Sequence, residues 1–475
     1  LMRQLALLFA LVMAAVAAKA ETPNILFIAV DDLNDWIEPM GGHPQAKTPN
    51  LARLARRSTL FSRAYTAAPA CNPSRAALMT GVAPYRSGVY QNNQAWRPAM
   101  PDAETLPQAF MRNGYWAGGA GKIYHGVYPD PASWNEYWPS KSVQRDADPL
   151  PPTRPANGIA ETGGFDWGPL DVATAEMSDA RVAEWVSAKL GETHAKPFFL
   201  ACGIFRPHLP WFVPRNYFRR FPLELIELPL VFNSDLADVP ETGVRMANPG
   251  RDHASVVDHG QWKHAVQAYL ASISFADDML GRVLDALDES GYADSTIIVL
   301  WGDHGWHLGE KHHWRKFALW EEATRVPLMI SVPPGAPGLP EGTRDGVSSP
   351  RPVSLLDLYP TLLELAGFAP ADKLDGRSLV PLLRNPELPW RPAVMTHGRL
   401  NHAVRSEDFR YIRYADGSEE LYDHRVDPME WTNLAADQLY AEVKRDMAAW
   451  LPATNAPGRP NQPSDRRTNE VAVPR

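Results

Sequence analysis

NILFIAVDD, residues 24–32, runs six apolar side chains in a row and then switches without a spacer to two aspartates. A continuous run that includes Ile25, Ile28 and Val30 and lacks polar alternation reads as a strand buried on both faces, the form strands take in a parallel sheet. Asp31 and Asp32 mark its C-terminal end. The same grammar recurs three times: residues 115–120 lead into Gly121-Lys122, residues 197–203 into Arg206 and His208, and residues 296–301 into Gly302-Asp303-His304. Helical patterns lie between and beyond them, at residues 105–113 closed by Gly114, 178–190 closed by Gly191, 264–290 closed by Gly291, and 354–366. Strands alternating with helices predict a doubly wound α/β domain, in which ligands bind outside the C-terminal ends of the strands. Four segments far apart in sequence should therefore meet at one edge.

Outward from the first strand, Cys71-Asn72-Pro73-Ser74-Arg75 precedes the short apolar run 76–80 and Gly81. Pro73 fits a first helical turn and Gly81 a helix end, which places Cys71 at a helix N-terminus. The unpaired N–H groups there, with the cation of Arg75, favour an anion. By itself a cysteine in an exported chain is more often buried or half of a disulfide, and Cys202 is the other cysteine of the chain. Asp31, Asp32, Asp303 and His304 also have an ordinary reading, as polar residues in strand-end turns. Gathered at one edge they amount to three carboxylates and an imidazole, which suits a hard divalent cation such as calcium or magnesium; zinc would require more His or Cys. Lys122 and His125 follow a glycine-rich turn, and Lys316 adds a further cation. His208 stands in Arg206-Pro207-His208-Leu209-Pro210, where two prolines stiffen the loop and hold an imidazole in place, as a general acid or base requires.

The chain has 475 residues, 45% hydrophobic and 21% charged, which fits a globular protein with one large domain and a smaller one. Residues 1–20 read as a secretory signal peptide, with Arg3, an apolar run over 5–16 too short to span a bilayer, and Ala18-Lys19-Ala20 as the cleavage site. No other stretch is long and apolar enough to span. Loss of Arg3 and Lys19 takes the formal net charge from -8 to -10. Such a chain does not attract polyanions globally, and no nucleic-acid motif is present; an anionic substrate needs a local cationic site. The lack of an Asn-x-Ser/Thr acceptor with x other than Pro favours bacterial export, to the periplasm or the medium.

The main domain is expected over residues 21–375. Short strands at 394–397, 402–405, 409–413 and 420–422, with a helix at 437–450, predict an antiparallel subdomain over 376–451. Residues 452–475 are rich in Pro, Asn and Arg and read as a disordered or loosely docked tail. Residues 129–168 and 221–258 lack periodicity and read as long loops that wall a site.

Taken together, these motifs resemble those of type I sulfatases, in the same order along nearly the whole mature chain. The match comprises residues 24–32, Thr48-Pro49-Asn50-Leu51, Cys-x-Pro-x-Arg from Cys71 to Arg75, Gly121-Lys122 with His125, Pro207-His208, Gly302-Asp303-His304-Gly305, and Leu421-Tyr422-Asp423 with Asp427-Pro428. The chain is most similar to the iduronate-2-sulfatase branch, because His304 stands where many sulfatases have Asn. Trp306-His307-Leu308-Gly309-Glu310 and the spacing from Lys122 to His125 agree. The resemblance implies an alkaline-phosphatase-like α/β fold, a large mixed, mostly parallel sheet flanked by helices, with a smaller C-terminal antiparallel sheet. It implies that a formylglycine-generating or anaerobic sulfatase-maturating enzyme oxidises Cys71 to formylglycine, which precludes a bridge to Cys202. One calcium ion (Ca2+) would be bound by Asp31, Asp32, Asp303 and His304, with the modified Cys71 as a further ligand.

In the implied mechanism the hydrated aldehyde attacks sulfur as Asp303 takes its proton, while Arg75, Lys122 and Lys316 stabilise the sulfate oxygens. His208 protonates the departing sugar oxygen, and His125 deprotonates the second hydroxyl to expel sulfate. The expected substrate is a sulfated carbohydrate, uronic acid-containing or another sulfated polysaccharide fragment, with a carboxylate held by Lys316 or Arg315. Trp96, Trp134, Trp138, Trp167, Trp211 and Trp306 would stack on its rings unless they are core. A phosphonate monoester or phosphodiester hydrolase of the same fold is one alternative, and a sulfated-glycan binding protein without the modification is another. A two-zinc phosphatase would use Ser or Thr at position 71 and a second His-rich set.

Overall fold

The computed structural model describes residues 22–160, 164–369 and 373–462. The expected signal peptide and the tail from residue 463 onward lie outside the described residues. Strand β1 (Asn24–Val30) is buried along its whole length in the middle of an eight-stranded sheet. The other strands are β2 (Thr59–Phe61), β3 (Trp116–Gly121), β4 (Glu136–Trp138), β5 (Phe198–Ile204), β6 (Thr296–Gly302), β7 (Leu328–Ser331) and β8 (Val347–Ser349). Their order is β8-β2-β7-β6-β1-β5-β3-β4. Pairings are parallel except the two made by β7.

Side chains alternate along β1, so it feeds two cores. Leu26, Ile28 and Val30 pack with helices α3 (Ser178–Leu190) and α4 (Trp262–Glu289). Ile25, Phe27 and Ala29 face α1 (Cys71–Thr80), α2 (Leu106–Arg112) and α5 (Leu358–Leu365). A one-residue slip would exchange the two sets, so packing holds the register. That register matters for the site. Val30 lies opposite both Ile204 and Gly302, and Gly121 opposite Gly203, so β1, β3, β5 and β6 end at one level.

Helix α1 begins after extended Ala70, ends at left-handed Gly81 (φ 69°), and is buried throughout. The C-terminal sheet is antiparallel, with β9 (Ala393–Thr396), β10 (His402–Arg405), β11 (Phe409–Arg413) and β12 (Glu419–Asp423) in chain order. Helix α6 (Ala441–Ala448) packs on it and is shorter than the predicted 437–450. Three expectations need correction. Residues 129–168 contribute β4 to the main sheet, and residues 221–258 contain two short helices, Glu241–Ala247 and Asp252–Asp258. Residues 455–462 are bound in place along residues 85–94. Among the described residues no helix is long and apolar enough to cross a membrane.

Gly121 has a left-handed φ of 80°, and a Cβ there would lie 1.9 Å from the carbonyl oxygen of Gly203. Gly121→Ala should therefore part β3 from β5 directly before Lys122. We expect a loss of about 3 kcal/mol in urea unfolding, whereas an unchanged midpoint would mean that the close approach does not limit stability.

Candidate active site

Each strand end delivers its expected side chains. Asp31 and Asp32 follow β1, Asp303 and His304 follow β6, Lys122 follows β3, and Arg206 to His208 follow β5. Helix α1 brings Cys71 over this edge. Its Sγ is fully buried, 3.2 Å from Lys316 Nζ, 3.7 Å from Lys122 Nζ and 3.2 Å from His304 Nε2. Around it stand three carboxylates with no solvent exposure. Asp31 pairs with Lys122 and with Arg75 Nη2 (2.9 Å), and Asp32 with Lys316 (2.7 Å). His304 Nε2 lies 3.3 Å from Asp32 Oδ1 and 3.4 Å from Asp303 Oδ2. His208 Nδ1 donates to the carbonyl of Leu209 (2.6 Å), which turns Nε2 toward Asp32 Oδ2 at 4.0 Å. His125 lies beside Cys71, and its Nδ1 is buried with no hydrogen-bond partner. All ten residues singled out in the sequence meet here.

The electrostatics follow from crowding charges in a dry place. Burial would raise the Cys71 thiol, but Lys122, Lys316 and His304 outweigh it and hold the group well below its ordinary range. Burial pushes Asp32 up to about 7 against the pull of Lys316, and it also raises Asp303. For His304 the carboxylate of Asp303 and the sulfur of Cys71 overcome burial and raise it to about 9. Burial, Lys122 and Lys316 depress His208 to about 3, and burial depresses His125.

Several of the expected groups are already committed to partners. Arg75 is fully buried and donates to Asp303 Oδ2 (2.8 Å), Asp31 Oδ1 (2.9 Å) and the carbonyls of Lys122 (2.5 Å) and Ile123 (3.0 Å). It clamps the carboxylates of Asp31 and Asp303. Lys316 is engaged with Asp32 and Cys71, and Arg315 pairs with Asp252 (2.5 Å). Trp96, Trp134, Trp167, Trp211 and Trp306 are buried, and Trp138 packs against the core, so the stacking reading fails for them. Cys71 and Cys202 are both reduced, with Cys202 in the core below α3 and α4.

Other groups went unread. Phe205 lies 4.6 Å from the His208 ring and 5.2 Å from Lys122 Nζ, ring centroid to ring or nitrogen, and Arg145 covers it at 3.6 Å. Asp179 on α3 accepts the N–H groups of Phe205 and Arg206, both at 2.9 Å, and so pins the loop that carries His208. Its sequence signal, a carboxylate in a first helical turn, is too common to single out. A further group that is close enough to ligate, Glu321, His424 and Glu430, is filled by Arg405 and Arg410 and fastens the two sheets together.

A mixed α/β sheet with a buried nucleophile-bearing helix, two lysines and a metal-type acid cluster at its edge defines an alkaline-phosphatase-like hydrolase of charged esters. Residues 23–368 match the sulfatase family model, and residues 309–456 match the C-terminal model of N-sulphoglucosamine sulphohydrolase. A sulfatase of Formosa agariphila is 39% identical over 93% of this chain and 88% of its own length. Human iduronate 2-sulfatase is 31% identical over 72% of this chain and 69% of its own. The crystal structure of a phosphonate monoester hydrolase of Agrobacterium radiobacter superposes with a TM-score of 0.71 at 27% identity, covering 90% of this chain and 94% of the other. The chain belongs to the sulfatase family and is a sulfuric ester hydrolase.

His208 carries a consequence for stability. Its folded pKa of about 3 lies below the ordinary value near 6.5, so between these the unfolded chain binds a proton that the folded chain does not. Stability should fall as pH drops from 6.5 toward 3, by up to ~1.4 kcal/mol per pH unit for one proton. Urea midpoints over that window should fall less steeply for His208→Gln, and parallel slopes would show that another group dominates.

Proposed function

We propose that the protein removes sulfate from a sulfated carbohydrate after export, using formylglycine made from Cys71 and a calcium ion held by Asp31, Asp32, Asp303 and His304. One observation carries this reading: the side chain at position 71 is buried among two lysines, an imidazole and three carboxylates. Cys71 Sγ stands in for an oxygen of the hydrated aldehyde. The donor set fits a hard cation. Asp32 Oδ2 is buried without a hydrogen-bond partner, and burial pushes Asp32 and Asp303 toward their protonated forms. A divalent ion there would keep the carboxylates ionised and polarise the sulfate oxygens.

The modified side chain would supply one hydroxyl to attack sulfur and a second whose deprotonation releases sulfate. Lys122 and Lys316 hold the sulfate oxygens in line with it. Asp303, ionised beside such a divalent cation, would take the attacking proton. A bound anion offsets the two lysine charges that, after burial, hold His208 neutral. Nε2 then takes up a proton as the ester binds and delivers it to the leaving sugar oxygen. His125, kept neutral by burial, accepts the proton of the second hydroxyl. Similarity to iduronate 2-sulfatase supports an acidic sugar as substrate, and the leader-like residues 1–20 support export. The likeness to a phosphonate monoester hydrolase supports a second reading, distinguished by relative turnover of matched aryl sulfates and aryl phosphonates.

In protein made beside a maturating enzyme, mass spectrometry of tryptic residues 64–75 should find an aldehyde in place of the Cys71 thiol; a thiol in active protein would end the formylglycine reading. Cys71→Ser should lower kcat by about 10³-fold or more, because a single hydroxyl lacks the elimination route. His208→Ala should slow a sulfated sugar more than an activated aryl sulfate, and equal losses would remove His208 from the role of acid.

A further inference from the structure

Residues 455–462 form no helix or strand, and most of their side chains are exposed. Apolar burial therefore does not offset the cost of ordering them, roughly 1–2 kcal/mol per residue. Hydrogen bonds hold them instead, nearly all to residues 85–94. Ala456 N–H donates to the Tyr85 carbonyl (2.7 Å), Arg459 N–H to Gly88 (3.0 Å) and Gln462 N–H to Asn93 (2.7 Å). The Tyr90 hydroxyl donates to the carbonyl of Ala456 (2.9 Å), and the Arg459 guanidinium to those of Ser87 (2.9 Å) and Ala99 (3.2 Å). The approach is closest at Gly88, where φ is 74° and a Cβ would lie 2.3 Å from the Pro457 carbonyl oxygen.

The segment held in this way is the one that caps α1. Gln94, 5% exposed, joins the two. Its Oε1 accepts the N–H groups of Tyr90 (2.6 Å) and Gln91 (3.0 Å), and its Nε2 donates to the Arg459 carbonyl (2.6 Å) and Asn461 Oδ1 (3.3 Å). Its own carbonyl accepts Asn72 Nδ2 (2.7 Å), which also reaches the Gln91 carbonyl (3.0 Å). The Asn72 N–H, one of the unpaired donors at the start of α1, is capped by Asn92 Oδ1 (3.0 Å). Asn72 is the residue after Cys71.

We propose that residues 455–462 are a strap that fixes the residue-71 side chain through Gln94 and Asn72, which makes Gln94 a positioning residue for the reaction. The inference rests on position 71 bearing the nucleophile. Misplacing a reacting group by a fraction of an ångström lowers turnover without weakening the sites that hold the anion. Lys122 and Lys316 lie on other segments, so substrate affinity should be spared.

Gln94→Glu tests the link selectively. The carboxylate keeps the side chain's size and both acceptor roles toward Tyr90 and Gln91, but it sets an anion against the two oxygens of the strap. With nitrophenyl sulfate as probe, kcat should fall about tenfold, KM should change less than twofold, and aldehyde content at residue 71 should be unchanged. A chain ending at Pro452 should show the same kcat defect, and a synthetic peptide of residues 453–462 should restore it. If the shortened chain does not fold, Gln94→Glu alone decides. Wild-type kcat in Gln94→Glu would overturn the strap, and so would a kcat loss that tracks loss of aldehyde, because the segment would then act in maturation. Cys71→Ser separates the two ideas: retained turnover there sinks the nucleophile assignment, whereas a dead Cys71→Ser beside a fully active Gln94→Glu sinks only the strap.

Discussion

A guanidinium with no access to water ties helix α1 to the edge of the main sheet. Arg75 reaches Asp31 beyond β1, Asp303 beyond β6 and two carbonyls beyond β3, so one side chain spans three strand ends. Desolvating such charges costs several kcal/mol per ion, recovered only when geometry and further hydrogen bonds are good. Here they are, and the consequence is rigidity. Since Cys71 lies one helical turn before Arg75, anchoring the arginine also anchors the side chain at position 71.

The acid cluster and the lysines balance each other unevenly. Arg75 and Lys122 secure Asp31, whereas Asp32 shares Lys316 with Cys71 and keeps one oxygen unpartnered. A divalent ion would add a partner for that oxygen. The two lysines face a sulfur that they draw toward its anionic form, and the same pair would favour the oxygens of a bound sulfate. One electrostatic arrangement thus serves both the resting side chain and the anionic ester, which is why the site lies at a buried edge and not on a surface patch of charge.

Much of this was legible in the chain. Apolar runs of six or seven residues leading into charged ones marked β1, β3, β5 and β6, and proline and glycine placement marked α1 to its last residue. Short strands such as β2 and β8 were not, because three residues carry no period. Tryptophan content did not locate the walls of the site, since an indole is amphipathic and the sequence does not say whether it is turned to the core or to solvent. The exposed, proline-rich run 455–462 lacked any burial signal. Its order comes from main-chain and side-chain hydrogen bonds to a loop more than 350 residues away, partners that no local pattern encodes.

By itself the sequence determined the chemical inventory and the strand ends on which it sits, because burial on both faces imposes a local composition and a turn after a strand imposes another. Only the tertiary structure decided which groups touch. Parallel register brought the strand ends level, and packing of α1 brought Arg75 onto the carboxylates. Distance and desolvation, not residue type, then divided the charged groups between those that hold the site together and those left to act on an ester.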